Sequence, residues 1–349
     1  MQSSAQEVGG GIMISMATSE LTVHVKTYCT LSTLSQEAES ALASILASLQ
    51  GGEGAGNLSI QQLIDSGEEV LTSSDDSVRN RGTMLLSEVL TRRPVLLAGQ
   101  PAGAVATLLT FFARRLEDEP CVREVLRGAR FIVEAVQSGV GREVDMALVT
   151  LVTGIFEHVH LQSLSLSDRN NAYQIVHSVI VRFDLAPSIM GESVLMGFVG
   201  IMDGERDPRN LKLCFSIIPT LARRHLSSTS EAEALFAVFS CYFPITFTPP
   251  PNDTVGITSE MLREGLLECM SCHRLMATPS LDLVQGKLAS AAEAQARIDS
   301  LDVIAALASR FGVARSMGTR GVRQIWSLLR LQVAYSRLRA CAHISLNGH

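Results

Sequence analysis

Asp75-Asp76-Ser77-Val78-Arg79-Asn80-Arg81-Gly82-Thr83-Met84-Leu85-Leu86-Ser87-Glu88-Val89-Leu90 carries the pattern on which the fold turns. It opens on an acidic turn, and Val78, Met84, Leu85, Leu86, Val89 and Leu90 then fall on one face of a helix with a 3.6-residue period. Arg93-Pro94 closes it, because proline cannot continue a helix. Leu58, Ile60, Leu63, Ile64, Val70 and Leu71 mark a helix just before it, so the local unit is a helix pair. The opening recurs as Glu117-Asp118-Glu119-Pro120-Cys121-Val122-Arg123, Ser167-Asp168-Arg169 and Glu205-Arg206-Asp207-Pro208-Arg209. Acidic residues there suit the positive end of the helix dipole. Arg79, Arg123, Arg169, Arg209, Arg297 and Arg337 are separated by 44, 46, 40, 88 and 40 residues, the 88 being two steps with one rung absent. A period of roughly 40–47 residues built from two helices marks a HEAT or armadillo-type array. The expected class is therefore all-α, an α-solenoid of such pairs, which holds partners on a surface.

Further pairs are expected at 101–117 with 119–138, 141–161 with 167–184, 189–203 with 207–226, 279–291 with 293–312, and 318–331 with 333–346. Residues 1–56 read as a flexible Gly/Ser-containing segment. Gly9-Gly10-Gly11 and the loop Gly51-Gly52-Glu53-Gly54-Ala55-Gly56 bracket one expected helix there, Ser35 to Leu49. Residues 57–349 read as the array. The absent rung falls near residue 253, inside Cys241-Tyr242-Phe243-Pro244-Ile245-Thr246-Phe247-Thr248-Pro249-Pro250-Pro251-Asn252-Asp253. Three consecutive prolines cannot lie within a helix, so an extended insertion is expected at 243–256, with helix resuming from Ile257.

Hydrophobic residues make up 46% of the 349-residue chain and charged residues 18%. Stacked pairs that bury two faces per helix account for this. The apolar stretches Gly103 to Phe112 and Val144 to Phe156 are shorter or more interrupted than the ~20 apolar residues that span a bilayer, and no membrane association is expected. With a net charge of −6 and no basic cluster interleaved with aromatics, no direct nucleic-acid partner is expected. No basic region followed by an apolar core marks a signal peptide. Seven cysteines (29, 121, 214, 241, 269, 272 and 341), lying mostly in helical patterns, read as reduced thiols of an intracellular protein.

Chemistry-bearing motifs are few. Cys269-Met270-Ser271-Cys272-His273 is a literal C-x-x-C-H, whose functional reading is haem, zinc or redox chemistry. No second cysteine pair completes it, and the favoured reading is packed helix cysteines. In Glu157-His158-Val159-His160 the histidines face different sides of a helix, so a helix end is expected rather than a ligand set. No Ser/His/Asp or paired-carboxylate constellation stands out. No enzyme activity, metal or cofactor is expected. Asp203-Gly204-Glu205-Arg206-Asp207-Pro208-Arg209-Asn210-Leu211 reads as a charged turn in which Asp207 caps, Pro208 takes the first helical position and Arg209 pairs with an acid of the adjacent repeat. Such turns also line one face of a solenoid, which makes Asp203, Arg206, Asp207 and Arg209 candidate partner contacts. Phe243, Phe247, Pro249, Pro250, Pro251, Asn252 and Asp253 join them as a rigid extended strip that a partner could grip. The competing reading tucks Tyr242, Phe243 and Phe247 into the groove between repeats.

Asp203–Leu211 and Ser240–Asp253, with Ile155–Arg169 and Asn57–Leu90 in pattern, resemble the amino-terminal domain of the Mms-nineteen nucleotide excision repair protein family over about residues 57–312. The proline segment is the specific part of the likeness. The resemblance implies a non-catalytic HEAT-repeat adaptor of cytosolic iron–sulfur protein assembly, present in cytoplasm and nucleus. Its implied partners are assembly targeting factors and apoprotein clients, among them helicases and polymerases of repair and replication. It gives Cys269 and Cys272 no cluster-holding role. Members of that family are longer, and docking of assembly factors is associated with their carboxy-terminal repeats, so a fragment or short form is expected. An uncapped last repeat predicts self-association or a low melting temperature. Transport-type solenoids of the importin or adaptin kind are the rival, and they would lack the 241–253 string.

Overall fold

The computed structural model describes residues 18–31, 35–49, 59–98, 100–183, 185, 187–191, 193–249, 256–290 and 293–312, with positions 323, 326, 327 and 330. Among the described residues there is no strand, and no helix is long and apolar enough to cross a membrane. Both glycine loops of the first 56 residues, Arg337, Cys341, most of the pair expected at 318–346, and Pro250, Pro251, Asn252 and Asp253 lie outside the described residues.

The chain divides into two compact units, Met1–Met190 and Gly191–His349. In the first, α1 comprises residues 18–30, and α2 (Gln36–Ser48) occupies the stretch read as helical. Residues 18–30 belong to the segment read as flexible, and Thr22, Val23, Val25, Thr27 and Tyr28 are indeed weak helix formers. Burial overrides propensity there: Leu21, Val25, Tyr28 and Cys29 lie at helical spacing and all are buried. Then follow α3 (Ile60–Ser66), α4 (Glu68–Leu71), α5 (Asp76–Arg92), α6 (Ala102–Arg115), α7 (Val122–Ala135), α8 (Arg142–His158), α9 (Leu166–His177) and the short α10 (Pro187–Met190). Helix α6 packs on α8, while α7 packs between α5 and α9. First helices of successive pairs thus form one layer and second helices the other.

The second unit repeats the scheme with α11 (Val194–Met202), α12 (Pro208–His225), α13 (Thr229–Ser240), α14 (Ser259–Ser271), α15 (Ala277–Ala289) and α16 (Ala294–Phe311). Helix α11 packs on α13, and α14 packs between α12 and α16. The absent rung is therefore a complete pair, α13 with α14, split by the insertion. Its arginine is Arg263, 54 residues after Arg209 and 34 before Arg297. The extra chain between α13 and α14 had moved it out of step.

Helix starts follow local chemistry. Asp75 caps α5 by accepting from Ser77 N (2.8 Å) and Val78 N (3.3 Å), Ser165 caps α9, and Asp207 caps α12. Ser228 and Glu231 form a capping box on α13. The acids also receive arginines from the preceding pair. Arg79 forks onto Asp118, 39 residues on, and Asp118 also accepts from Arg115 (3.1 Å). Arg127 returns from α7 to Glu88 of α5 (3.0 Å), and Arg130 reaches Asn171 of α9 (3.1 Å). In the second unit Glu268 of α14 takes Arg223 of α12 and Arg310 of α16 together. Contacts one repeat apart in sequence thus stitch second helix to second helix. Of the periodic arginines, Arg79 takes part tightly, Arg123 approaches Asp168 at 3.8 Å while two-thirds exposed, and Arg209 turns onto Asp207 of its own turn.

The stitched layer comes closest at Gly128 of α7. A Cβ there would stand 2.5 Å from Ser87 Oγ and 2.9 Å from Phe112 Cζ. Ser87 cannot easily yield, since its buried hydroxyl donates to Glu124 O at 2.5 Å. Gly128→Ala is therefore expected to lower stability by about 1 kcal/mol, overpacking outweighing the ~1 kcal/mol gain in helix propensity. A higher urea midpoint for the variant would show that the approach is not limiting.

Candidate functional site

The two sequence strings read as candidate contacts come together in the second unit. Helix α11 ends at Met202, and the chain reverses through Gly204, whose φ of 77° lies in the left-handed region. Glu205 is then fully buried, although it carries a carboxylate. The carboxylate folds back over its own turn and accepts from the amides of Arg206 (2.9 Å) and Asp207 (2.9 Å) and from Asn210 Nδ2 (3.0 Å). Two residues later Asp207 caps α12, accepting from Arg209 N (3.0 Å) and Asn210 N (3.4 Å), and Pro208 occupies the first helical position. Asp207 also holds the Arg209 guanidinium, at 3.0 and 3.2 Å. Three carboxylates of one short turn thus have distinct fates: Glu205 buried, Asp207 capping, Asp203 exposed with Arg206 beside it.

The insertion is fastened to that turn by Tyr242, whose hydroxyl donates to Glu205 O. Its ring meets Phe215 of α12 edge-on, centroids 6.0 Å apart at 67°. Burial pushes the phenol well above its ordinary range, so it remains a donor. Phe243 and Ile245 turn inward, 6% and 7% exposed, and Ile257 is buried at the far end. Of the two readings of Phe243, its burial fits the one that tucks it against the repeat, where apolar contact holds the strip down. Phe247 and Pro249 remain half-buried at its outer part. Tyr242→Phe is expected to cost about 1 kcal/mol, the net worth of one hydrogen bond, and to raise amide hydrogen exchange at 243–249. Unchanged exchange there would mean that the phenol does not fasten the strip.

The C-x-x-C-H is taken apart by the fold. Cys269 is fully buried on α14 and its thiol donates to Phe215 O (3.3 Å), while Cys272 donates to Cys269 O (3.2 Å). Burial raises both thiols, Cys272 to about 12, which holds them un-ionised. His273 Nδ1 accepts from Leu275 N at 3.3 Å and caps a short 3-10 turn. Glu157 and His158 end α8, both exposed. Among the described residues no three His, Cys, Asp or Glu side chains gather as a metal site.

Two concave surfaces accompany these elements. An open cleft of about 1130 Å³ in the first unit is lined by Thr107, Thr110, Phe111, Arg114 and Glu143, with the Arg79–Asp118 rung at its edge. A smaller cavity, about 230 Å³, lies in the second unit between the insertion, α14 and α16. Residues 260–303, which supply most of its lining, read in sequence only as amphipathic helix. Their carboxylates spread over two helices with no local motif, and the placement of Phe243 over them is visible only in three dimensions.

Residues 64–335 match the family model described as Dos2-interacting transcription regulator of RNA-Pol-II. The chain is similar to the MMS19 nucleotide excision repair protein homolog of Homo sapiens, 34% identical over 258 residues, covering 74% of this chain and 24% of that protein. It is 34% identical over 254 residues to the Danio rerio protein of the same name, covering 72% and 24%. With the Arabidopsis thaliana homolog it shares 29% identity over 317 residues, covering 89% and 27%. The chain therefore spans about a quarter of the length of these curated relatives.

Proposed function

The chain belongs to the MMS19 nucleotide excision repair protein family, and on that premise we propose that it is a non-catalytic adaptor of cytosolic iron–sulfur protein assembly. In this reading it helps bring assembly targeting factors to apoproteins, including helicases and polymerases of repair and replication, and so supports nucleotide excision repair and transcription. It would act in both cytoplasm and nucleus. The observation that carries the reading is the family match across 64–335, whose described residues form helix pairs in each unit. The internal polar groups support it: cross-repeat arginines and acids, and the thiols of Cys269 and Cys272, are engaged in stabilising bonds. What is left for recognition is the outward surface, with exposed Asp203 and Arg206 and half-buried Phe247 and Pro249 on the second unit.

Affinity capture with this chain, followed by identification of bound proteins, tests the proposal. Recovery of iron–sulfur assembly factors or cluster-requiring repair enzymes supports it. Recovery of transport receptors or coat proteins alone would overturn it in favour of a transport-type solenoid.

A further inference from the structure

The small cavity of the second unit has an unusual division of chemistry. Its floor is apolar: Phe243 and Ile245 from the insertion, Leu266 from α14 and Val303 from α16 are all buried. Its wall and rim carry four carboxylates, Glu260, Glu264, Asp299 and Asp302, against one guanidinium, Arg263. The lining charge is therefore one minus four, or −3. Gln295 completes the polar part, donating from Nε2 to Asp299 Oδ1 at 2.8 Å.

Asp299 is the informative member. Its side chain is only 10% exposed, and its second oxygen, Oδ2, is buried without a hydrogen-bond partner among the described residues. Arg263 Nε stands 3.8 Å away, beyond hydrogen-bond range, and is likewise unpartnered. A carboxylate oxygen so placed is destabilising while it lacks a donor, because it has given up water without a replacement. Other rungs of this fold close such pairs, as Arg79 does on Asp118 and Arg310 on Glu268. This one stands open on a cavity, with both facing atoms buried.

We propose that this cavity is a docking site for a partner peptide segment in which an aliphatic or aromatic side chain is flanked by arginine. The volume of about 230 Å³ is below the roughly 300–1,000 Å³ of small-molecule sites and suits a single large side chain. The anchor replaces water over Phe243, Ile245, Leu266 and Val303. The flanking guanidinium forks across the rim carboxylates of Glu264 and Asp302, which face solvent, and adds positive charge near the uncompensated Asp299 beneath them. Arginine fits better than lysine because its planar fork meets two acceptors and is less strongly hydrated. The inference goes beyond the adaptor reading: it concerns the chemistry of one contact and holds whichever complex the chain serves.

The test uses the full chain and a labelled hexapeptide of alternating arginine and leucine, followed by fluorescence anisotropy at two salt concentrations. The expected result is saturable binding that weakens with salt and falls at least tenfold when serine replaces leucine or glutamate replaces arginine. Glu264→Lys with Asp302→Lys, both at exposed helix positions, should lower affinity at least tenfold with the circular dichroism spectrum unchanged. Val303→Ala should reduce affinity with little change in salt dependence, since it enlarges the floor and leaves the charges. Equal binding of the glutamate peptide, or no effect of the double charge reversal, would overturn the proposal. So would a dimer that the charge reversals dissociate while peptide affinity stays the same, which would give the cavity to a second copy.

Discussion

Glu205→Ala is expected to lower the stability of the second unit by about 3–5 kcal/mol, since several buried donors are stranded at once and each costs about 1–3 kcal/mol. The substitution removes an acceptor that serves three donors at once. The amides of Arg206 and Asp207 and the Nδ2 of Asn210, itself fully buried, lose their partner together. Water cannot replace it without opening the turn, because the site is fully buried and Tyr242 is bonded to the Glu205 carbonyl. The loss should spread in two directions. Along the chain it frees the first turn of α12, where Asp207 caps only while its own amide is held. Across the fold it loosens the insertion, since Tyr242 depends on the position of the Glu205 carbonyl. Glu205→Gln keeps an oxygen for the two amides and should cost less than half as much. Urea denaturation with amide exchange at 205–211 and 242–249 reads both effects. Equal stability of the alanine variant and the parent, or a glutamine variant as damaged as alanine, would sink the account.

How legible the molecule was in its sequence depends on the range of the interaction concerned. Caps are local, and Asp207 was readable as one from residues within three positions, as Asp75 was as part of an acidic turn. Helix pairing was readable because burial on two faces imprints a 3.6-residue period and a repeat of about forty residues. The arginine series marked helix starts, yet it did not identify the stitches. Arg115, Arg127, Arg130, Arg223 and Arg310 make cross-repeat contacts, and no periodicity singled them out. An arginine's reach lets it serve from several helical positions, so register in sequence is a weak constraint on it. Arg263 was overlooked for the opposite reason: inserted chain shifted it by a known physical cause that periodicity alone cannot see.

The candidate site was legible as a neighbourhood and not as an arrangement. The charged turn and the proline-rich strip were both marked, and Tyr242 joins them. Phe243 was offered as a contact because it sits in an extended, proline-flanked segment, where periodicity says nothing about which way a ring points. Glu205 was read as one more charge in a surface turn. The only local signal of its burial was the spacing itself. A carboxylate one residue after a left-handed glycine and two before an N-cap can fold over its own amides, as short acidic side chains do in turns. The carboxylates of the small cavity gave no signal at all, since Glu260 and Glu264 lie 35 or more positions from Asp299 and Asp302.

In the first unit Asp118 should dominate the response to acid. It accepts from both ends of the Arg79 fork and from Arg115, and its side chain is 16% exposed. The hydrogen bonds from Arg79, with lesser help from Cys121 and Arg115, hold its carboxyl far below the ordinary carboxylate range. The folded state therefore binds this proton more weakly than the unfolded chain does. Its contribution is complete above the unfolded value of about 4 and drains away as pH falls below that. Glu124, raised chiefly by its own burial, acts in the opposite sense over part of the same range. The slope of the parent protein is thus a poor guide, and the difference from a variant is the quantity to read. Asp118→Asn is expected to cost about 2–3 kcal/mol near neutral pH, since two half-shielded guanidinia keep their hydrogen bonds poorly without the charge. That deficit should shrink by about 1 kcal/mol near pH 3, where the unfolded chain already binds the proton that folded Asp118 still refuses. Urea midpoints of parent and variant at the two pH values decide it. A deficit that stays constant between them would mean that Asp118 holds the rung through shape and hydrogen-bond count, with its charge contributing little.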